Sequence, residues 1–231
     1  LLRCGAQHDG IAVRLAHLAA IQAWNLRRFR QNRGRLGEHL DILGPVMVGP
    51  SSSHTAGAAR IGYITRKLLG SQPKKARIGL SGSFAATGRG HGTDRALVAG
   101  LLGMKPDDMR IPDSFSVAKQ EGLEFEIYNT QIKEAHPNTA LLDVEGVDGK
   151  TIVVQASSLG GGRIMLNELD EITVNCTGAC PTLIIRNEDS PGQVAEVTSV
   201  LYGKKVNIDH TSASQGQAGR YAVMVIETDQ L

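Results

Sequence analysis

The spacing of apolar residues changes several times along this chain. Between residues 11 and 29 they recur at helical intervals, and a run of arginines follows, which predicts a basic amphipathic helix. After Asp41 the pattern changes to short apolar runs divided by glycine and proline. We therefore expect residues 1–39 to be a basic extension outside the main fold.

Residues 40–175 predict one mixed α/β domain. Apolar positions from His54 to Leu69 follow a helical period that Gly70 ends. Further on, residues rich in β-formers predict strands, residues 88–92 predict a glycine-rich loop, and a second helix is expected at 93–102. The predicted strands are 76–82, 123–128, 139–144 and 151–156.

The last fifty residues have a different layout, with the order β-α-β-β. The predicted elements are a strand at 183–185, a helix at 193–201, and strands at 206–212 and 221–227. Together with the D-x-P-G turn at Asp189, this order resembles an ACT domain, a small ferredoxin-like module that usually binds amino acids. The resemblance covers residues 181–231, and because a second helix and a last strand would follow Leu231, we expect the domain to be incomplete.

Composition and charge narrow the function classes. The 231 residues are 41% hydrophobic and 21% charged, as in an ordinary globular protein. The formal charge is +2, but the first forty residues hold seven arginines against Asp9 and Glu38, so the remainder is mildly acidic. A nucleic-acid partner is therefore not expected. No apolar run approaches the ~20 residues that span a bilayer, so a membrane protein is not expected either.

The cysteines predict neither a disulfide framework nor a metal site. Cys4, Cys176 and Cys180 are an odd number, which suits a reducing compartment and predicts a cytoplasmic protein. The pair Cys176 and Cys180 lacks a third cysteine or a suitably spaced histidine, so we expect free thiols at the domain junction and no metal held by this chain.

Residues 49–57, G-P-S-S-S-H-T-A-G, are the first candidate site. Three hydroxyls and an imidazole at a helix N-terminus, with free backbone N–H groups and the positive end of the helix dipole, suit a carboxylate or a phosphate. A Ser–His nucleophile pair is not expected here, because adjacent residues do not face each other on a regular helix and no acidic residue follows to orient the imidazole.

Two further segments carry polar groups that suit a site. Residues 87–94, T-G-R-G-H-G-T-D, combine glycines that let a ligand approach the backbone with His91, which could move a proton. Their spacing fits neither a Walker A loop nor a dinucleotide-binding fingerprint. Residues 136–139, H-P-N-T, read as a turn capped by asparagine.

Three strings together resemble one family. They are D-I-L-G-P-V-M-V-G-P-S-S-S-H-T-A-G-A from Asp41, G-S-F-A-A-T-G-R-G-H-G-T-D-R-A-L from Gly82, and H-P-N from His136. In this order and at these distances they resemble the beta subunit of the iron–sulfur-dependent bacterial L-serine dehydratases, over about residues 40–231.

The resemblance implies α,β-elimination of water from L-serine to give pyruvate and ammonia. It implies a 4Fe-4S cluster ligated by a partner alpha subunit in a hetero-oligomer, and self-association through the ACT segment. It also implies roles for particular residues. His54 and His91 are expected to be catalytic. The residues expected to contact substrate are Ser51, Ser52, Ser53, Thr55, Gly90 and Asn138.

Two alternatives belong to other function classes. The first is a non-catalytic subunit that senses serine or another amino acid and regulates a partner. The second is an independent hydrolase using Ser52 or Ser53, for which the sequence supplies no recognisable base and oxyanion hole.

Overall fold

The computed structural model describes residues 46–215 and 221–229. The predictions of a basic extension at 1–39 and of a helix at 11–29 concern residues outside the described part. Within that part, no helix is long and apolar enough to span a bilayer.

The first part of the chain forms a sheet and the helices that cover it. A single π-type turn at Ser52–Gly57 leads directly into the first helix, and a short 3-10 turn at Ile111–Asp113 precedes the fourth. The helices are α1 (Ala58–Leu69), α2 (Ser83–His91), α3 (Thr93–Leu101) and α4 (Ser114–Glu121). The strands are β1 (Pro73–Gly82), β2 (Glu124–Asn129), β3 (Asn138–Gly146), β4 (Thr151–Gly160), β5 (Arg163–Leu169) and β6 (Ile172–Cys176).

The strand order in this sheet is β2-β1-β3-β4-β5-β6. Strands β1 and β2 are parallel, with Ile78 opposite Ile127, because α2, α3 and α4 make the crossover between them. The other neighbours are antiparallel. Helix α2 follows directly from β1. This connection brings residues 87–94 close to the π-type turn at Ser52–Gly57, the serine-rich turn.

The core lies on one face of this sheet. Alternate residues of β1, β3 and β4 are buried, with charged side chains such as Arg77 and Asp143 on the opposite face, as expected for a sheet covered on one side. Helices α1 and α3 cross closely on the buried face: a Cβ at Gly62 would lie 2.2 Å from the Leu97 carbonyl oxygen. The predicted mixed α/β class is confirmed.

The second part of the chain has its own three-stranded antiparallel sheet. Its elements are β7 (Thr182–Glu188), α5 (Gln193–Gly203), β8 (Ile208–Gln215) and β9 (Tyr221–Thr228), in the sheet order β7-β9-β8. One face of this sheet packs on α5 through Leu183, Leu201 and Ile226. Val223 and Val225 point the other way and join the core of the first part. The order β-α-β-β agrees with the sequence prediction and with a split β-α-β arrangement, whereas the ACT assignment stays a prediction.

The structure contradicts one predicted element and contains three that the sequence did not predict. The predicted glycine-rich loop at 88–92 is instead the end of α2, because Phe84 and Gly88 are buried against the core and Gly92 ends the helix in the left-handed conformation. Helix α4 was not expected. Strands β5 and β6 were not expected either, because their apolar residues alternate only over short stretches between polar ones.

Candidate functional site

Ser51 begins the serine-rich turn and acts as its N-cap. Its backbone is extended (φ −140°, ψ 126°), and its Oγ accepts a hydrogen bond from the His54 N–H at 3.1 Å. The N–H groups of Thr55 and Ala56 donate to the Ser51 carbonyl at 2.9 and 3.2 Å. The expected cradle of free backbone N–H groups is therefore partly wrong, because these three donors are used within the turn.

His54 contacts a serine hydroxyl at each of its ring nitrogens. Its Nδ1 lies 3.0 Å from the Oγ of Ser53, and its Nε2 lies 3.1 Å from the Oγ of Ser83. Ser53 in turn lies 3.3 Å from Ser51, oxygen to oxygen. Adjacent residues do face each other here, contrary to the sequence expectation, because the turn is wider than a regular α-helix. The partners on both sides of the ring are hydroxyls, which can donate or accept.

His91 lies beside His54 at the end of α2. The two ring centroids are 5.0 Å apart. Since a carbonyl can only accept, the contact of 3.2 Å between His91 Nδ1 and the Thr87 carbonyl places a proton on Nδ1 and leaves Nε2 for a ligand. Thr55 is buried and donates to the His91 carbonyl at 2.9 Å, so its hydroxyl ties the serine-rich turn to the end of α2.

The surroundings of His54 favour its neutral form. Burial lowers the pKa of His54 below its ordinary value of 6.5, and the positive charge of a protonated His91 lowers it further, while a hydrogen bond with the backbone of Ser83 raises it. Phe84 packs edge-on against the imidazole with centroids 5.3 Å apart. A neutral imidazole near a second imidazole can accept a proton at neutral pH.

Ser52 connects the turn to the hairpin between β4 and β5. Its Oγ accepts from the Gly161 N–H and its carbonyl from the Gly162 N–H, both at 3.3 Å. Arg60, largely buried, donates to the carbonyls of Gly162 and Gly178 at 3.2 and 3.0 Å. The sequence analysis did not predict the contact between the serine-rich turn and this hairpin, although the three consecutive glycines at 160–162 are typical of a tight hairpin.

Asn138 and Gly90 are placed differently from the other predicted site residues. Asn138 begins β3, where its side chain makes a long contact of 3.5 Å to the Ser158 carbonyl. Gly90 lines a separate cavity of about 720 Å³, together with Arg89 and Asp94 among others. The structure therefore brings together Ser51, Ser53, His54, Ser83 and His91, whereas Gly90 faces a different space.

The described residues do not fit an iron–sulfur cluster. Such clusters take cysteine thiolates, and burial together with the charge of Glu227 raises the pKa of Cys176 to about 12, so this thiol stays protonated. Within residues 46–215 and 221–229, no three His, Cys, Asp or Glu side chains are grouped so that they could hold a metal ion.

Comparison with known proteins gives consistent similarities. Residues 40–122 match the family model described as "Serine dehydratase beta chain". The "Probable L-serine dehydratase, beta chain" of Bacillus subtilis (strain 168) is 39% identical over 190 residues, which are 82% of this chain and 86% of the relative. The "L-serine dehydratase, beta chain" of Peptoniphilus asaccharolyticus is 36% identical over 191 residues, again 82% and 86%. The "L-serine dehydratase" of Mycobacterium tuberculosis (strain CDC 1551 / Oshkosh) is 28% identical over 144 residues, 52% of this chain and 31% of the relative.

Proposed function

Because this chain belongs to the family of L-serine dehydratase beta chains, we propose that it works with an alpha chain as an L-serine ammonia-lyase. The reaction converts L-serine to pyruvate and ammonia. Within this chain, the proposal rests on the pair His54 and His91. The neutral imidazole of His54, in the serine-rich turn, lies beside the imidazole of His91.

His54 is the proposed base of the elimination. The Cα proton of serine passes to Nδ1 of His54, which gives up its contact with the Ser53 hydroxyl, while Nε2–H stays on Ser83. The C–H electron pair forms the Cα=Cβ bond, and the β-hydroxyl leaves with a second proton as water. The 2-aminoacrylate then tautomerises to an imine, which takes up water and yields pyruvate and ammonia. His91 supplies the second proton in its protonated form: its Nδ1–H stays on the Thr87 carbonyl, and its Nε2–H is donated to the leaving hydroxyl, which leaves His91 neutral.

The substrate carboxylate is proposed to bind to hydroxyls of the serine-rich turn. Ser51 and Ser53 are part-buried and can rotate their O–H groups toward an anion. Ser52 and Thr55 are held by contacts within the chain, so they contribute mainly by fixing the shape of the turn. Asn138 lies at the start of β3, beside the first residues of α2, and we propose that its side-chain amide also contacts the substrate.

The cofactor and the assembly remain proposals. We infer that the alpha chain supplies the 4Fe-4S cluster, because the described residues of this chain do not fit it. Residues 40–175 are proposed as the domain that bears the site. Residues 181–231 are proposed as an ACT-type unit for self-association, in a cytoplasmic protein.

Co-expression under anaerobic conditions with an alpha chain of the same family tests the function. Serine-dependent pyruvate formation is expected only when both chains are present. His54→Ala should lower kcat by about 100-fold or more, the size typical of a general base. The matched control His210→Ala, an exposed histidine on β8, should retain the wild-type rate.

Two outcomes would contradict the proposal. Unchanged turnover in His54→Ala would remove the assigned base. Saturable serine binding to this chain, with no pyruvate formed by the assembled pair, would favour the alternative of a regulatory sensor.

A further inference from the structure

Ser83 reaches the site from a different element and lies 29 positions along the chain from His54. It is the first residue of α2, and its Oγ lies 3.1 Å from His54 Nε2. No feature of the serine-rich motif points to it. The parallel connection after β1 carries it to the open side of the imidazole, opposite Ser53.

The backbone of Ser83 is held firmly in place. Its N–H donates to the Pro137 carbonyl at 2.7 Å, and its own carbonyl accepts from the Thr87 hydroxyl at 2.9 Å. The preceding Gly82 has φ +55°, and a Cβ there would come within 2.5 Å of the Pro137 oxygen. The chain can therefore approach Pro137 this closely only with glycine at 82, and the backbone of Ser83 is held where its hydroxyl can reach His54.

The two hydroxyls that contact the His54 ring belong to different elements. Ser53 lies next to His54 in the same turn and moves with it, whereas Ser83 belongs to α2 and provides an independent anchor. A ring held at both nitrogens by separate elements cannot turn over without breaking both hydrogen bonds. Ser83 therefore restricts the ring orientation in a way that Ser53 alone would not.

The charged form of His54 is disfavoured by its other neighbours. It is partly buried, Phe84 covers one side, and His91 is the titratable group that faces it from α2. None of the ion pairs among the described residues involves His54. The backbone of Ser83 is the one group among these causes that raises the pKa of His54. Its hydroxyl, with Oγ 3.1 Å from Nε2, is a second acceptor that the protonated ring can reach.

We propose that Ser83 is a positioning residue for His54, whose hydroxyl accepts a hydrogen bond from the Nε2–H of the protonated ring and stabilises the charge that His54 acquires when it takes the substrate proton. The reaction part of this inference rests on the proposed function. The structural part, that Ser83 controls the protonation and orientation of His54, does not depend on it.

The test compares Ser83→Ala with Ser83→Thr, which keeps the hydroxyl. The control is Ser114→Ala, because Ser114 is also the first residue of a helix, α4, and its hydroxyl also makes one hydrogen bond, to the Arg95 carbonyl. A histidine NMR titration of the full chain, with the His54 signal assigned from its loss in His54→Gln, reports the pKa without any need for activity. Steady-state kinetics of the assembled pair across pH report the catalytic effect.

In Ser83→Ala the pKa of His54 should fall, because the hydroxyl 3.1 Å from Nε2, which accepts a hydrogen bond from the charged ring, is lost while the backbone of residue 83 remains. Since the neutral ring is the base, activity declines as pH falls through this pKa, so the acid limb of the kcat profile should move to lower pH. The plateau of kcat should drop about threefold to tenfold, the worth of one hydrogen bond, with KM nearly unchanged. Ser83→Thr should restore both readouts, and Ser114→Ala should change neither.

An unchanged His54 titration in Ser83→Ala would overturn the inference, as would an equal shift in Ser114→Ala. If the wild-type pair formed no pyruvate, the proposed function would fail, while the NMR titration would still decide whether Ser83 governs His54.

Discussion

Replacing Gly57 with alanine should disturb the turn that carries His54, and Ser158 is the reason. Gly57 has ordinary right-handed helical angles, φ −63° and ψ −43°, so its backbone does not require glycine. An added Cβ, however, would lie 2.0 Å from the Oγ of Ser158 and 2.8 Å from its Cβ. Both distances are far inside van der Waals contact, so either the turn or strand β4 has to move.

The magnitude follows from the character of the contact. Forcing one methyl group into a well-packed site costs about 1–3 kcal/mol. Ser158 is completely buried, and its hydroxyl has no hydrogen-bond partner among the described residues. Ser158→Ala therefore removes an unsatisfied group, and we expect it to leave stability unchanged or to raise it by about 1 kcal/mol. In the double variant the clash with Oγ disappears but the approach of 2.8 Å to the Cβ of residue 158 remains, so part of the loss should be recovered.

Thermal unfolding of the four proteins of this double-mutant cycle measures the coupling. For a chain of this size, 1 kcal/mol corresponds to about 2–4 °C, so Gly57→Ala should lower Tm by roughly 2–12 °C. Strictly additive effects of the two substitutions would refute the assignment of the clash to Ser158. Wild-type stability of Gly57→Ala alone would refute the steric argument altogether.

Three further predictions concern separate groups. Gly90→Ala should raise the unfolding free energy by up to about 1 kcal/mol in denaturant titrations, because Gly90 is helical and a Cβ there meets no atom within 4 Å. A lower Tm would contradict this prediction. Lost activity would indicate that substrate or the alpha chain approaches this position. Folding lowers the pKa of His54, so on acidification the unfolded chain binds a proton at this residue before the folded chain does. The free energy of unfolding should therefore decline as pH falls through about 6.5. Urea titrations at several pH values should show a smaller decline in His54→Gln. Cys176, buried and with its pKa raised to about 12, should resist iodoacetamide at pH 8 until denaturant is added, as followed by site-resolved mass spectrometry, and rapid labelling of the native chain would show that the thiol is accessible.

The local elements were largely predictable from the sequence, because they depend on residue periodicity and turn residues. Helix α1 ends at Gly70, and β3 and β4 begin within a residue of the predicted positions. The strand and helix order of the second part was likewise evident from its apolar runs. In each case, the signal lies within the segment that forms the element.

Helix α2 shows where local reasoning fails. Three glycines within five residues favour a loop, yet Ser83–His91 is helical because tertiary contacts override this preference. Phe84 is fully buried, and Gly88 would place a Cβ 3.3 Å from Thr93, so the small residue allows α2 to pack against the start of α3. Gly88 therefore serves packing within the protein, where the sequence suggested approach to a ligand, whereas a Cβ at Gly90 or Gly92 would meet no atom within 4 Å.

The contact between Ser83 and His54 could not be predicted at all. It depends on a wide turn at one end and on the crossover after β1 at the other, and neither leaves a periodic signal in the sequence. The Ser53 contact was missed for a related reason, since a regular helix would point adjacent side chains apart.

Close backbone packing holds the elements around His54 in place. A Cβ at Gly49 would meet the Thr55 side chain at 2.4 Å, one at Gly57 would meet Ser158 at 2.0 Å, and one at Gly82 would meet the Pro137 carbonyl at 2.5 Å. Each of these contacts joins the serine-rich turn or the start of α2 to a neighbouring segment, and in none is there room for a methyl group. Since a displacement of about 1 Å can cost a hundredfold in rate, substitutions at these glycines should lower kcat without touching the substrate. Close packing at these glycines therefore sets the positions of the turn and of α2, and the hydrogen bond between His54 and Ser83 then sets the orientation of the ring.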